Sequence, residues 1–473
     1  MHPTEDIIRG VVAQVLARMS AKPTASAPAS TATGLRGVFA DVDSAVAAAT
    51  VAQREFERRS IADRKRAVDC VRKICVERAE ELGREELAET KIGKLAHKIE
   101  KLNVVGDRIP GTEFLRTEAF SGTNGVTLED YAPFGVIGAI TPVTHSLPTL
   151  ACNAINMLAS GNAIVANPHP GGAKIAAKGT HLFNEAIYKA IGIDNLITLI
   201  GTPTLESAQA IFDHRDVRLI CVTGGPAVAR AALRSPKRAI VAGPGNPPVV
   251  VDETADLHNA AKSIIAGAAY DNNLLCIGEK EVFAVASIFD ELCEAMSHYK
   301  AVQLNPAQIA ALTKIAFIKD DKGNVLTNKD LVGQDAAILA QAIGLSVPAD
   351  TELLFGETDE HSPFVDHEQM MTFVPFVRVP NVDVAIAMAK KYEHGYKHTS
   401  IIHSRNIETI TRMGREMDTT LFIQNGPSVA GLGSGGEGYL SFSIATPTGE
   451  GVTTPLTFTR VRRSTTVGAL RVV

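Results

Sequence analysis

Between residues 135 and 252 the chain contains six short apolar runs, which read VIGAIT (136–141), NAIVAN (162–167), LITLIG (196–201), LICVTG (219–224), RAIVAG (238–243) and PVVVD (248–252). Helical stretches separate most of these runs. Strands that read as continuous apolar runs are typical of a parallel sheet covered by helices on both faces. The pattern therefore predicts an α/β fold built on a parallel sheet.

The flanking regions predict other elements. Residues 37–106 have helical patterns, and residues 254–420 continue as mixed α/β. Asn124-Gly125 is a strong hairpin dipeptide and predicts a β-hairpin close to Tyr131. The last forty residues are rich in Gly and Thr and predict two further strands.

The N-terminus differs from the rest of the chain. Residues 4–19 predict a short amphipathic helix within the segment 1–19, with Thr4 as its cap. Residues 20–34 (SAKPTASAPASTATG) predict a flexible linker. Two interpretations stay open: a helix that folds back on its own chain or a disordered tail, or else a peptide that binds a partner.

Composition excludes several classes of protein. The 473 residues carry a net charge of −5, which gives no electrostatic reason to expect a nucleic-acid partner. The six cysteines form no CxxC pair and have no zinc-site spacing, so we expect no metal site, and free thiols in a reducing cytoplasm. No apolar run reaches the roughly 18 residues that a membrane span needs.

Two motifs are candidates for a phosphate-binding turn. Gly431–Gly436 fits G-x-G-x-x-G, but no amphipathic helix follows it, so a mobile loop is the better interpretation. In Ile220–Leu233 a buried strand runs through Gly224 and Gly225 into a helix, whose N-terminus is suited to a pyrophosphate. An ordinary strand–helix connection explains that pattern equally well.

One cysteine differs from the others by its context. Cys276 follows a predicted helix and lies beside Gly278, whereas the other five fall within helical or strand patterns that are typical of structural residues.

Eight motifs in order resemble the CoA-acylating branch of the aldehyde dehydrogenase superfamily. They are PFGVIGAITP, SGNAIVANPHPG, VTGG, AGPGNPPVVVD, NNLLCIGEKEV, EQMMTFVPFVRV, HGYKHTSIIHS and TPTGEGVTTPLTFTR, and the resemblance covers residues 35–473. It implies the aldehyde dehydrogenase fold with three parts: a Rossmann-like NAD-binding domain (35–119 and 137–241), an α/β catalytic domain (242–430) and a β-strand oligomerisation arm (120–136 and 441–473).

The resemblance implies a reaction as well. A thiolate of Cys276 adds to the aldehyde, NAD accepts a hydride, and the thioester passes to coenzyme A. The aligned oxyanion donor is Thr144, followed by His145 where the acylating branch usually has asparagine, so the second donor is undecided. Either His394 or His398 is a candidate to assist the thiol chemistry, and a structural role is equally compatible with each.

Two further departures bear on the chemistry. The glutamate that activates water in hydrolytic relatives aligns with the segment Val241–Gly245, which holds no carboxylate. The Lys-Pro-Ser motif of many relatives reads Asn167-Pro168-His169, and the missing positive charge favours NAD over NADP. The resemblance implies the following cofactor-binding residues: Thr141, Pro142, Asn167, Pro168, His169, Thr223, Gly224, Gly225, Gly243 and Glu368.

The resemblance is greatest to the propionaldehyde dehydrogenases of propanediol-utilising bacterial microcompartments, with the ethanolamine-type acetaldehyde enzymes as the alternative. It implies a homodimer or homotetramer in the bacterial cytoplasm, within a microcompartment lumen, that contacts shell or cargo through residues 1–19. A hydrolytic aldehyde dehydrogenase is the weaker alternative.

Overall fold

The computed structural model describes residues 34–319, 323 and 325–470. The predicted helix at 1–19 and all but the last residue of the predicted linker at 20–34 lie outside the described residues. In what is described, no helix is both long and apolar enough to cross a bilayer.

Fifteen helices lie in the described part of the chain. They are α1 (Val42–Glu57), α2 (Ile61–Glu77), α3 (Ala79–Thr90), α4 (Leu95–Arg108), α5 (Ser146–Ala159), α6 (Ala173–Ile191), α7 (Leu205–Asp213), α8 (Pro226–Arg234), α9 (Leu257–Ala268), α10 (Phe289–Ser297), α11 (Pro306–Ala316), α12 (Ala336–Ala342), α13 (Pro363–Asp366), α14 (Val382–Tyr392) and α15 (Ile407–Met417).

The strands are β1 (Val38–Phe39), β2 (Glu118–Gly122), β3 (Gly125–Pro133), β4 (Val136–Thr141), β5 (Ala163–Pro168), β6 (Ile197–Ile200), β7 (Val217–Thr223), β8 (Ala239–Ala242), β9 (Pro248–Val251), β10 (Glu281–Val285), β11 (Ala301–Gln303), β12 (Phe317–Lys319), β13 (Val325–Thr327), β14 (Leu353–Thr358), β15 (Phe373–Val379), β16 (Thr399–His403), β17 (Leu421–Gln424), β18 (Ile444–Ala445), β19 (Gly451–Val452) and β20 (Thr459–Val467).

The first sheet is parallel and has the order β1-β6-β5-β4-β7-β8. Helices α1, α2, α5 and α6 pack on it or on one another, and β4, β5 and β6 are buried along their whole length. Five of the six predicted apolar runs form strands of this sheet. Their burial on both faces explains why they read as continuous apolar runs rather than as alternating ones.

The sixth run, PVVVD, does not join this sheet. It forms β9, which lies inside a second parallel sheet with the order β11-β14-β15-β10-β9-β16-β17. The chain passes from one sheet to the other through residues 243–247 (GPGNP), which we call the connector. Its two prolines and two glycines suit neither a helix nor a paired strand, which explains why no helix lies between β8 and β9.

A third, antiparallel sheet has the order β2-β3-β20 and joins residues far apart in sequence. The predicted hairpin is present, with Thr123 and Asn124 as its turn and Gly125, at φ 124°, as the first residue of β3. Phe120, Val461 and Val467 are 54%, 57% and 79% exposed, so this sheet presents apolar side chains to solvent.

The C-terminal segment returns to the first sheet before it reaches β20. The described residues of the last forty contain the short hairpin β18–β19 and the strand β20, whereas the sequence predicted two strands beyond Thr453. Ser443 Oγ lies 2.6 Å from Thr223 Oγ1, and Asn162 Nδ2 donates to the carbonyl of Phe458 at 2.9 Å. The backbone N–H of Val241 donates to Thr448 Oγ1 at 3.1 Å, so this segment covers the β8 edge of the sheet.

Candidate active site

The predicted cofactor-binding residues other than Glu368 collect at one edge of the first sheet. Thr141 ends β4, Pro168 ends β5, Thr223 ends β7, and Gly243 follows β8. These four strands are neighbours in the order β5-β4-β7-β8 and run parallel, so their carboxyl ends lie side by side. In open α/β sheets, ligands bind in the crevice at these ends.

Several side chains at this edge are already bonded within the protein. Asn167 Oδ1 accepts from Ser207 Oγ at 2.6 Å, and the Asn167 amide donates to the carbonyl of Thr204 at 3.3 Å. The Thr223 hydroxyl is bonded to Ser443. The Thr141 hydroxyl is buried and, of these three side chains, is the one without a hydrogen-bond partner among the described residues.

The glycine turn before α8 provides open space at the same edge. Gly225 is the N-cap of α8, and a Cβ built on it would meet no atom within 4 Å. His169 is exposed, and its Nδ1 accepts from the N–H of Gly171 at 3.0 Å. Helix α8 has nine residues and an open N-terminus, which fits the phosphates of a dinucleotide. The Thr141 hydroxyl, without a partner among the described residues, fits one of its hydroxyls.

Cys276 lies in the loop between α9 and β10. The fully buried Lys280 closes this loop, because its Nζ donates to the carbonyls of Asn273 at 2.9 Å and Leu275 at 3.2 Å, and to the side chain of Asn273. Cys276 is partly exposed, whereas Cys75, Cys152 and Cys221 are fully buried.

The surroundings of Cys276 keep its thiol protonated. Burial raises the pKa of the thiol to about 12, and the Glu368 carboxylate raises it further, while Lys280 and Lys101 oppose the shift. At neutral pH the thiol therefore needs a base that removes its proton as it attacks.

The connector brings three candidate residues together. A Cβ on Gly245 would lie 2.5 Å from the carbonyl oxygen of Cys276 and 3.1 Å from Cγ of His398, so Gly245 fills the gap between them. The N–H of Gly245 donates to the Glu368 carboxylate, whose pKa burial raises to about 7. Cys276, His398 and Glu368 thus surround one glycine.

The two predicted histidines differ in their surroundings. His398 is buried, its Nδ1 lies 2.9 Å from Thr399 Oγ1, and its Nε2 has no partner among the described residues. Burial, and then Lys280, lower the pKa of His398 to about 4, so the ring is neutral at physiological pH. His394 Nε2 instead lies 2.9 Å from the carbonyl of Asp366. Of the two histidines, His398 is the one that lies against Gly245, on whose other side is the carbonyl oxygen of Cys276.

The Thr144–His145 turn precedes α5. His145 is buried, its ring centroid lies 5.5 Å from that of Phe442, and its Nδ1 has no partner in the described part of the chain. Burial, and then Lys101 and Lys98, lower the pKa of His145 well below its usual value. The backbone carbonyl of Thr144 accepts from Lys98 Nζ at 2.7 Å. The side chain of Thr144 takes no part in that bond and is partly exposed.

The position predicted for a hydrolytic glutamate is apolar. Val241 is fully buried in β8, in a cluster with Ile220 and Val222. Two residues later, a Cβ on Gly243 would lie 2.9 Å from Cγ of Pro447, so a side chain there has little room. A carboxylate that does affect Cys276 is that of Glu368, whose charge raises the pKa of the thiol and which is bonded to Gly245 of the connector.

Sequence reasoning missed the turn that leads to Cys276. Asp271, Asn272 and Asn273 have φ angles of 46°, 58° and 65° in succession. The left-handed conformation disfavours residues with a Cβ, and Asn and Asp tolerate it best after glycine. The signal was therefore the tripeptide Asp-Asn-Asn itself. The lysines that hold Asp271, Lys98 and Lys101, were missed as well, because lysines in an amphipathic pattern indicate a solvated face.

Comparison with known proteins gives a family. The aldehyde dehydrogenase family matches residues 21–438. The acetylating acetaldehyde dehydrogenase EutE of Escherichia coli is 44% identical over 468 residues, which cover 98% of this chain and 99% of that protein.

Two solved structures extend the likeness to three dimensions. The propionaldehyde dehydrogenase of the Clostridium phytofermentans fucose utilisation microcompartment is 41% identical, with a TM-score of 0.90 over 93% of this chain and 100% of that chain. The Rhodopseudomonas palustris propionaldehyde dehydrogenase, with bound CoA and an acylated cysteine, is 42% identical, with a TM-score of 0.89 over 92% and 99%. The two parallel sheets and the antiparallel sheet described above are thus the fold that the resemblance implied.

Proposed function

Because the chain belongs to the aldehyde dehydrogenase family, we propose that it oxidises a short aldehyde to its acyl-CoA, with NAD as the oxidant and coenzyme A as the acyl acceptor. The chain belongs to the CoA-acylating branch of that family. One observation carries the proposal. A partly exposed Cys276 lies beside Glu368 and His398, while apolar Val241 occupies the aligned position of the hydrolytic glutamate.

Cys276 is the proposed nucleophile. Its Sγ adds to the carbonyl carbon of the aldehyde, the thiol proton leaves for a base, and a thiohemiacetal alkoxide forms. The Nε2 of His398, which has no partner among the described residues, is the proposed acceptor of the proton. The Cys276 N–H and the Thr144 hydroxyl are the proposed donors to the alkoxide.

The crevice at the carboxyl ends of β4, β5, β7 and β8 is the proposed cofactor site. When bound there, NAD supplies the acceptor for the hydride that leaves the thiohemiacetal carbon. The turn at Gly224 and Gly225 offers backbone N–H groups to the pyrophosphate, and Thr141 offers its free hydroxyl. The proposed role of Glu368 is to hold the nicotinamide ribose. Asn167 carries no charge for a 2′-phosphate, which supports NAD over NADP.

The thioester on Cys276 is then available to the CoA thiol. The CoA sulfur attacks the acyl carbon, the bond to Cys276 Sγ breaks, and the cysteine recovers its proton. Water competes poorly, because the position of the hydrolytic base holds Val241. The charge of Glu368 raises the pKa of the Cys276 thiol, but its bond with the N–H of Gly245 directs this carboxylate to the connector.

We propose propionaldehyde as the substrate, which is supported by the two solved propionaldehyde dehydrogenases. Acetaldehyde is the second candidate, because the relative at 44% identity is an acetylating acetaldehyde dehydrogenase. A microcompartment lumen in a bacterial cytoplasm is the proposed location, with residues 1–19 as the targeting segment. The exposed apolar residues of the β2-β3-β20 sheet support its proposed role as an oligomerisation arm in a dimer or tetramer.

The decisive assay follows NADH formation from propionaldehyde with and without CoA. We expect turnover that depends on CoA and yields propionyl-CoA, and Cys276→Ala should abolish it. Cys70→Ala, which removes another partly exposed cysteine, is the matched control and should retain full activity. With CoA omitted, mass spectrometry should find one propionyl group on the peptide that contains Cys276. Rapid CoA-independent release of propionate, or acylation of another residue, would refute the proposal.

A further inference from the structure

One face of α4 clamps the strained turn that precedes the nucleophile. The N–H of Lys94 donates to Asp271 Oδ1 at 2.8 Å, and the N–H of Asp271 donates to His97 Nδ1 at 2.8 Å. Lys98 Nζ lies 3.4 Å from Asp271 Oδ2, and Lys101 Nζ is bonded to the same oxygen. These four residues are spaced i, i+3, i+4 and i+7, so they lie on one side of the helix.

The cluster is a charged group without access to water. Lys98, Lys101 and Asp271 are fully buried, so two ammonium groups face one carboxylate in the interior. Burial opposes ionisation of Asp271, but Lys101 and Lys98 outweigh burial and hold its pKa at about 2. The nearby Glu86 carboxyl has its pKa raised by burial. Buried charges of this kind are unfavourable unless the geometry of pairing is kept, and such a cluster therefore fixes the positions of its members.

Lys98 has a second bond, and it reaches another part of the site. Its Nζ donates to the carbonyl of Thr144 at 2.7 Å, while it pairs with Asp271. Thr144 lies in the turn between β4 and α5, in the first sheet. Asp271 begins the left-handed turn that leads to Cys276. One buried ammonium therefore joins the segment that carries the nucleophile to the turn that carries the proposed alkoxide donor.

We propose that Lys98 is a positioning residue that sets the distance between Cys276 and the Thr144–His145 turn, so that the alkoxide forms within reach of its donors. The inference rests on the proposed function, because it assigns the thiohemiacetal to Cys276. Lys98 is fully buried, and in the proposal it acts through the two segments that it holds. Oxyanion donors lie about 2.7–3.1 Å from the position that the oxyanion will occupy, so a residue that fixes this distance affects the chemical step.

Lys101 provides the matched control. It lies one turn further along the same face of α4, is equally buried and pairs with the same carboxylate, but within the described residues it bonds Asp271 and not Thr144. Lys101 instead lowers the pKa of the Cys276 thiol by its charge. Loss of Lys101 should therefore change the reactivity of the thiol, whereas loss of Lys98 should change the stabilisation of the alkoxide.

The test compares Lys98→Met, Lys98→Gln and Lys101→Met in the full chain with NAD, CoA and propionaldehyde. We expect Lys98→Met to lower kcat on the order of 10- to 100-fold, the usual effect of misplacing reacting groups by about 1 Å, while KM for NAD stays within about twofold. Lys98→Gln keeps an N–H donor for the carbonyl of Thr144 and should recover part of that loss.

The pH profile of Cys276 alkylation by iodoacetamide separates the two lysines. It should move to higher pH in Lys101→Met and stay in place in Lys98→Met and Lys98→Gln. A Lys98→Met enzyme with kcat within twofold of the parent, or equal effects of Lys98→Met and Lys101→Met on both readouts, would overturn the inference. If Lys98→Met does not fold, Lys98→Gln against Lys101→Met carries the same comparison. A parent enzyme without CoA-dependent turnover would instead remove the proposed function.

Discussion

Replacing Gly245 with alanine tests the geometry around the proposed nucleophile, Cys276, most directly. The φ angle of Gly245 is not positive, so the backbone accepts a side chain and the effect is steric alone. The new Cβ would lie 2.5 Å from the carbonyl oxygen of Cys276, whereas ordinary contact begins at 3.4 Å. The distance is too short by 3.4 − 2.5 = 0.9 Å, and the atom in the way belongs to the backbone, which cannot move aside by changing a side-chain rotamer.

A displacement of about 1 Å at reacting atoms lowers the rate roughly 100-fold, which corresponds to about 2.7 kcal/mol in the activation free energy. Overpacking of this kind also lowers the free energy of unfolding by about 1–3 kcal/mol. We expect kcat of Gly245→Ala to fall on the order of 100-fold in the CoA-dependent NADH assay, while a thermal melt still shows a folded protein.

Gly426→Ala is the control, because its Cβ would meet no atom nearer than 3.9 Å and the residue follows β17 in the same sheet as β9. It should retain the parent kcat. If Gly245→Ala also kept kcat within twofold, then the connector would not press against Cys276, and the site described here would be wrong.

The remaining predictions concern two carboxyl groups. Glu368→Gln removes a negative charge that raises the pKa of the Cys276 thiol, so alkylation of Cys276 at pH 8 should become faster; an unchanged or slower rate would contradict the contact. Glu281 is buried, both of its oxygens lack a hydrogen-bond partner among the described residues, and burial raises its pKa well above the usual value, with Glu393 and Asp366 adding to the shift and Lys280 opposing it. Because the folded protein holds this proton more tightly than the unfolded chain, its contribution to stability is complete below about pH 4.3 and declines as the pH rises. Gln at position 281 cannot ionise, so the urea midpoint of Glu281→Gln should rise relative to that of the parent as the pH increases from 5 to 8. A constant difference between the two midpoints would refute the assignment.

Sequence patterns predicted the first sheet well, for a physical reason. VIGAIT and NAIVAN are buried on both faces, so every position is under the same demand for apolar side chains, and the run is visible without knowledge of the partner strand. The apolar pattern alone did not show that PVVVD joins a second sheet; only the resemblance placed it in a separate catalytic domain (242–430). An apolar strand does not indicate which sheet it joins, and the connector is too short to be recognised in the sequence as a boundary between two sheets.

Cys276 was identified as the proposed nucleophile through the resemblance, whereas the buried charges close to it were not found. Lys98 and Lys101 occur in a helix with alternating charged and apolar residues, a pattern that ordinarily indicates exposed lysines. Their burial depends on Asp271, which is more than 160 positions away in sequence and meets them only in the folded chain. When buried charged side chains pair across such a distance in sequence, nothing in the local sequence around either partner indicates that they are buried.

The returning C-terminal segment limits how the molecule can be divided. A fragment that ended after β8 would contain every strand of the first sheet, yet Thr223, Asn162 and Val241 would each lose a hydrogen-bond partner supplied by residues 443–458. The edge of β8 would also become open to pairing with other chains. Anyone who wishes to transplant the crevice into another scaffold must therefore supply the tail with it, either as a separate peptide or by circular permutation, because the chain interleaves its two halves rather than joining two independent modules.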